Sequence, residues 1–529
     1  MTHRPLTSTL AIFAISAVAA GGLYADVKPN PLFSEGAVLQ RGQAVPVWGT
    51  ARDGEKVTVT IGRQKLTTTA VKGVWRVILE PLAVGEPLTM TFVGDNTVTV
   101  NHILVGEVWV CSGQSNMEFQ LDHAANAAEE TPKAIYPKIR MFTVAKTTSM
   151  LPLAEVQGSW EECSPARVGK FSAVGYFFAR DLYQKLGIPV GMIHSSWGGT
   201  PAQAWTSLEG LGADPELKSY SEAAKSGLEH FLAAEATYQV RLGEFKVAKK
   251  TWQESVNLPY QEALKVWTEQ VAAAKAANQA LPVAPLLASP EPTAPAVVGG
   301  NQNSATTLFN GMLNPLIPYA IKGAIWYQGE ANAPQARLYR NLFPAMIADW
   351  RARWHQGNFP FLFVQIAPYN GQPPEIREAQ LLTLAKSQNT AMAVTTDVGQ
   401  ADDIHPTRKE PVGQRLALAA RALAYGEKVE YSGPLYQSMK IKGGKIVLSF
   451  THLGGGLVAK DGVLKGFTIA AADGKFVAAK AEIEGQNVIV AAEEISEPKA
   501  VRYGWANVPD VNLFNQQGIP ASPFRTDVD

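Results

Sequence analysis

Glu107-Val108-Trp109-Val110-Cys111-Ser112-Gly113-Gln114-Ser115-Asn116-Met117 is the stretch on which the fold turns. Its first residues form an apolar-rich run without alternation, and a glycine-containing turn follows. Such a run reads as a short strand buried on both sides, the kind found in parallel sheets. The same signature recurs at 188–193, 323–327, 361–366 and 392–395. Helical stretches separate several of these runs, for example 173–186. Strands alternating with helices predict an α/β domain, a parallel sheet covered on both faces. In such sheets the chemistry sits at the carboxyl ends of the strands.

Outward from that domain, expected over 106–428, the period changes. Over 26–105, Val57, Val59 and Ile61 alternate with Lys56, Thr58 and Thr60, and Asp53-Gly54, Gly62 and Gly94-Asp95-Asn96 mark turns. Short strands at that spacing predict a small β-sandwich. Residues 429–529 repeat the pattern, with runs at 445–450, 488–490 and 500–503, and predict a second β-sandwich. An insertion at 207–300 interrupts the α/β domain. Leu228, Phe231, Tyr238, Leu242, Phe245 and Trp252 keep helical spacing, Asn257-Leu258-Pro259 breaks it, and Leu264, Trp267, Val271 and Ala274 resume it. This predicts a helical hairpin with one apolar seam. Residues 281–300 hold five prolines and read as an extended linker.

At 529 residues the chain has room for about three to four domains. Residues 1–25 read as a secretory leader: Arg4 is followed by an apolar run over 10–20 and small residues near Ala25, the expected cleavage point. The protein is therefore expected to be secreted or periplasmic. No later run is long and apolar enough for a membrane helix. Lys+Arg and Asp+Glu both number 47, so no global field favours nucleic acid or an anionic membrane as partner. Two cysteines, Cys111 and Cys163, exclude a disulfide scaffold, an iron–sulfur cluster and a thiolate zinc site. They read as two buried thiols, with one bridge as the alternative. The eight histidines are scattered, and neither a metal constellation nor a phosphate-binding glycine loop is present.

Four local signals each follow an expected strand. Gly113-Gln114-Ser115-Asn116-Met117 presents a serine on a tight strand-to-helix turn, though without the second glycine of a G-x-S-x-G elbow. His194-Ser195-Ser196-Trp197-Gly198-Gly199-Thr200 offers backbone amides at paired glycines. Trp326-Tyr327-Gln328-Gly329-Glu330-Ala331-Asn332 offers a side-chain amide. Asp402-Asp403-Ile404-His405-Pro406 places a histidine at a loop-to-helix junction, with Pro406 expected in the helix's first turn. Each alone is compatible with a plain turn. Together they supply a nucleophile, an oxyanion hole, a base and an orienting acid, the four roles of acyl transfer through a serine ester.

The strings VWVCSGQSNM, HSSWGGTPAQAW, GAIWYQGEANA and DDIHPTRKEPVGQRLALAARAL resemble the sialate O-acetylesterase family of carbohydrate esterases, within the SGNH (GDSL-like) hydrolases. The resemblance spans about 30–520, and its strings are specific in combination. It implies a flavodoxin-like α/β/α catalytic domain with accompanying β domains, and cofactor-free removal of O-acetyl groups from sugars. Carried over, Ser115 resembles the nucleophile and His405 the base. The Ser115 amide, a Gly198 or Gly199 amide and the Gln328 side chain resemble the oxyanion hole. The acid is open: the superfamily's Asp-x-x-His spacing selects Asp402, the family's Asp-Ile-His-Pro string selects Asp403, and some relatives use a backbone carbonyl. Asp397 is a weaker candidate.

Gln114, Asn116, Trp197 and Glu330 are the expected substrate contacts. Trp205 and Trp326 could stack on a sugar, with core packing as the plain alternative. The substrate is expected to be an O-acetylated carbohydrate, of the sialate 9-O-acetyl type or an acetylated plant polysaccharide such as xylan or xyloglucan. A sialate carboxylate would want an arginine, and Arg408 and Arg377 are nearest in pattern; a buried ion pair is the plain reading of Arg377-Glu378. A reading of another class is a carbohydrate-binding protein without catalysis.

Overall fold

The structure is a computed structural model that describes residues 26–295 and 299–527, so the expected leader at 1–25 lies outside the described residues. Thr97–Gly113 is one long strand, β1. Its first part alternates in exposure and pairs antiparallel with Leu88–Val93; from Ile103 onward every residue is buried. There it pairs parallel with Val38–Gln40 and then with two strands of the central sheet. The change of period seen in the sequence is thus a change of environment along one strand. The expected boundary at 105–106 falls inside it.

The central sheet continues with β2 (Tyr136–Thr143), β3 (Val190–Ser196), β4 (Gly323–Tyr327), β5 (Phe361–Val364) and β6 (Thr390–Ala393). Their spatial order is β2-β3-β1-β4-β5-β6, all parallel. Trp160–Cys163 adds an antiparallel edge on β2. A four-residue helix, α1 (Ser115–Glu118), follows β1 directly. Helices α2 (Ala173–Leu186), α5 (Ala336–Trp354), α6 (Pro374–Lys386) and α7 (Glu410–Leu423) cover the sheet. Trp109 packs on Phe178 of α2, with ring centroids 5.0 Å apart, and Trp326 on Phe343 of α5 at 6.4 Å. Trp326 pairs in register with Ser112, an odd number of residues after Trp109. The two rings therefore leave opposite faces, and helices cover both.

The insertion departs from the expected hairpin. Helix α3 (Lys218–Trp252) passes through a π-helical turn at Gln253–Asn257 straight into α4 (Leu258–Ala276). Pro259 lacks an N–H and so cannot close a normal helical turn; the wider turn absorbs it without reversing the chain. The result is 35 residues of α-helix, five of π-helix and 19 more of α-helix, roughly 90 Å long. The apolar seam is met by the proline-rich segment running back along it: Trp252 donates to the Ser289 carbonyl and Trp267 to that of Pro282, both at 2.9 Å. Helix α7 also starts later than expected. Pro411, not Pro406, sits in its first turn, and 401–409 form an irregular loop.

One contiguous hydrophobic core runs from Val27 to Ala420 and joins the N-terminal strands to the central sheet. Residues 435–525 form antiparallel sheets around a second core, from Ile446 to Phe524. This C-terminal unit docks on the sheet through Gln365, which donates to Ser522 at 2.9 Å, and through Arg377. Arg377 is fully buried and donates to the carbonyls of Ala506 and Asn507. It makes no ion pair with Glu378, which instead binds Arg340 and Arg525. Cys111 and Cys163 are free and buried.

Candidate active site

The carboxyl ends of β1, β3 and β4 bring three of the four strings together. Gly113 ends β1 at φ 139°, and a β-carbon there would stand 2.1 Å from the Tyr327 carbonyl on β4. Only glycine lets the strands approach this closely. The Gln114 N–H then donates to that carbonyl at 3.0 Å, and the chain turns at once into α1, placing Ser115 at its first residue. From beneath, the Ser172 hydroxyl, which caps α2, donates to the Met117 carbonyl at 2.6 Å and holds the turn down.

His405 arrives from the 401–409 loop. Its Nε2 stands 2.8 Å from Ser115 Oγ, within the range for proton transfer between hydroxyl and imidazole. Both residues are partly exposed, as a reacting pair open to substrate must be. Burial, with the Lys409 cation second, holds the His405 pKa below its ordinary value; Asp403 opposes this. The neutral imidazole is therefore favoured.

The two aspartates differ. Asp403 Oδ1 accepts the His405 backbone N–H at 2.8 Å and lies 3.8 Å from Nδ1. Asp402, the first candidate from spacing, is exposed and accepts from Asn370 Nδ2 at 2.8 Å. Asp397 is committed to Arg415 through two 2.7 Å contacts.

The expected oxyanion donors also separate. A β-carbon on Gly198 would stand 3.3 Å from the Ser115 β-carbon, so the glycine pair lies against the serine. The Gly198 N–H, however, donates to Glu118 Oε2 at 2.7 Å. Gly199, at φ 75° and exposed, has no acceptor for its N–H among the described residues, and the Ser115 N–H opens α1 without one. Gln328 is not a free donor. It is fully buried, donates to Asn332 Oδ1 at 2.7 Å and to the Thr200 carbonyl at 3.2 Å, and accepts from the Tyr339 hydroxyl at 2.9 Å.

Of the expected substrate contacts, Trp197 stays partly exposed beside Lys146, whose ammonium is 5.5 Å from its ring centroid. Gln114 is buried, its oxygen accepting from the Ala331 N–H at 3.2 Å. Asn116 and Glu330 are buried under the serine turn and hydrogen-bond each other at 2.6 Å, so neither is placed to touch a sugar. Desolvation raises the Glu330 pKa, and the Asn116 hydrogen bond and the Lys409 charge oppose it. Trp205 and Trp326 are wholly buried core. Arg408 donates to the Asp397 carbonyl at 3.0 Å.

Three residues at the site escaped the sequence reading. Glu118 clamps the glycine turn and also pairs with Lys146 at 2.5 Å. Asn332 links Gln328 to the Ala202 N–H. Lys409 is buried behind the serine turn. Glu118 sits three residues after the serine and Lys409 four after the histidine, but nothing local marks either as turned inward. Among the described residues no group of His, Cys, Asp and Glu is gathered as a metal site, and no helix is long and apolar enough to cross a membrane.

The model of the family described as "Carbohydrate esterase, sialic acid-specific acetylesterase" matches residues 298–422. The sialate O-acetylesterase of Rattus norvegicus is 33% identical over 451 residues, covering 77% of this chain and 75% of the relative. That of Homo sapiens is 31% identical over 461 residues, covering 78% and 74%. A crystal structure of a carbohydrate acetylesterase from Xanthomonas citri superposes with a TM-score of 0.76 at 35% identity, covering 95% of this chain and all of the other.

Proposed function

The chain belongs to the sialate O-acetylesterase family of carbohydrate esterases, and we propose that it hydrolyses O-acetyl esters on sugars through a serine ester. The contact of His405 Nε2 with Ser115 Oγ at 2.8 Å carries the reading. Ser115 Oγ attacks the acetyl carbonyl carbon while its proton passes to His405 Nε2. The Ser115 and Gly199 amides receive the oxyanion. The tetrahedral adduct collapses, the C–O bond to the sugar breaks, and His405 returns the proton to the sugar oxygen. Water, deprotonated by His405, then attacks the acetyl-enzyme, and acetate leaves as Ser115 regains its proton. Asp403 is the candidate orienting acid. The sheet and its flanking helices serve as an SGNH-type, flavodoxin-like catalytic domain, and export follows from the leader at 1–25.

Two substrates fit the chemistry. The family relation favours sialate O-acetyl esters, the 9-O position included. A neutral acetylated polysaccharide such as xylan or xyloglucan is favoured by the commitments of the arginines nearest in pattern: Arg377 is fully buried and Arg408 is held to Asp397. The test is acetate release across acetylated sialosides, xylans and xyloglucans by the wild type and Ser115→Ala. Activity on at least one carbohydrate ester, lost in the variant, is expected. Equal release by both proteins ends the serine-ester reading.

A further inference from the structure

Behind the serine turn lies a buried polar group that the chemistry above does not use. Asn116, next to Ser115 in sequence, has its side-chain amide fully occupied. Its Nδ2 donates to Glu330 Oε1 at 2.6 Å and to the carbonyl of Ile404, the residue before His405, at 3.0 Å. Its Oδ1 accepts from Lys409 Nζ at 2.5 Å. Lys409 is wholly buried, with its ammonium 4.7 Å from the Phe119 ring centroid and 5.3 Å from that of Tyr327. Three distant segments therefore meet on one amide: the serine turn, the 330 turn and the loop carrying the histidine.

Burying a lysine without a paired carboxylate is costly. Here the cost is offset by two aromatic faces, one charge-assisted hydrogen bond and the attraction of Glu330 and Asp403. An ammonium can only donate. It therefore forces the oxygen of Asn116 toward itself, which turns the NH2 group toward Ile404 and Glu330. We propose that Lys409 is a positioning residue of the esterase site: it fixes the Asn116 amide in the one orientation that ties the Ser115 turn to the Ile404 carbonyl, and so to His405. This rests on the Ser115–His405 mechanism proposed above.

The same cation acts on the base. The charged groups acting on His405 are Lys409, which disfavours its protonation, and Asp403, which favours it. Burial brings the Lys409 pKa down to about 7. In the more acidic range where His405 titrates, the ammonium is charged and helps keep the imidazole neutral.

The experiment compares the full-length wild type, Lys409→Met and Ser115→Ala on 4-nitrophenyl acetate, with kcat, KM, the pH profile and the thermal unfolding midpoint all measured. Methionine fills similar volume in the aromatic slot without a donor or a charge. The expected result is a kcat about 10- to 100-fold lower from misalignment, with KM within roughly twofold. The acid limb should move to higher pH, and the midpoint should be retained. Wild-type kcat and an unmoved acid limb in Lys409→Met, with Ser115→Ala inactive, overturn the positioning role and leave the esterase reading standing. A fully active Ser115→Ala overturns both. If Lys409→Met does not fold, Asn116→Asp decides, because it keeps an acceptor for Lys409 and removes both donors, to Ile404 and to Glu330. Reduced kcat there supports the role, and wild-type kcat ends it.

Discussion

Asp403 is hydrogen-bonded to the backbone of His405 rather than to its ring: Oδ1 lies 2.8 Å from the N–H and 3.8 Å from Nδ1. At the longer distance the carboxylate steers the imidazole by charge without a formed hydrogen bond. A carboxylate with 55% of its side chain exposed is also screened by solvent. Asp403→Ala should therefore lower kcat only about tenfold, far less than loss of a buried, fully bonded triad acid would. Asp402→Ala, whose partner is Asn370, should change kcat by less than about threefold. Steady-state kinetics on an acetyl ester separates the two, and the reverse ranking would return the role to Asp402.

The pH profile follows from the direction of the His405 shift. Its pKa is held below the ordinary histidine value, and the neutral form is the base. Activity should fall as pH drops through a limb placed below about 6.5. A limb in kcat/KM above that value, or a flat profile from pH 4 to 8, would count against His405.

Gln328 should matter for stability. Replacing it by leucine leaves Asn332 Oδ1, the Thr200 carbonyl and the Tyr339 hydroxyl short of partners in a buried place. A loss of about 2–3 kcal/mol in unfolding free energy is expected in denaturant titration. Unchanged stability with a collapse of kcat would restore it as an oxyanion donor.

Glu118→Ala tests the clamp on the glycine turn. Without the carboxylate the Gly198 N–H loses its acceptor, and the Gly198-Gly199 backbone is free to drift from Ser115. Kcat should fall about tenfold, with smaller change in KM. Kinetics identical to wild type would show that the turn holds its place without Glu118.

The insertion offers a test of the fold. Trp252 and Trp267 pin the returning segment to the long helix through single indole hydrogen bonds. Replacing both with phenylalanine should speed limited proteolysis within 277–295 several-fold, leaving esterase activity in place. Equal cleavage rates would mean the segment is held by other contacts.

The sequence by itself determined the strand–helix alternation, the two β-rich ends and the strings carrying Ser115 and His405. Those features are local: exposure period and turn residues leave their mark within a few positions. Tertiary structure alone decided who partners whom. Helical spacing in 228–274 announced an apolar seam, yet a seam does not state what covers it, and the cover proved to be the proline-rich segment rather than a second helix. Gln328, Asn116 and Glu330 carried the right polarity for a site, but a polar side chain reads the same whether it faces a sugar or a neighbour. Their direction came from segments far along the chain, as when Asn116 reaches Ile404 across 288 residues. Hydrogen bonds act over about 3 Å, so only the packed sheet, by bringing those segments together, could settle them.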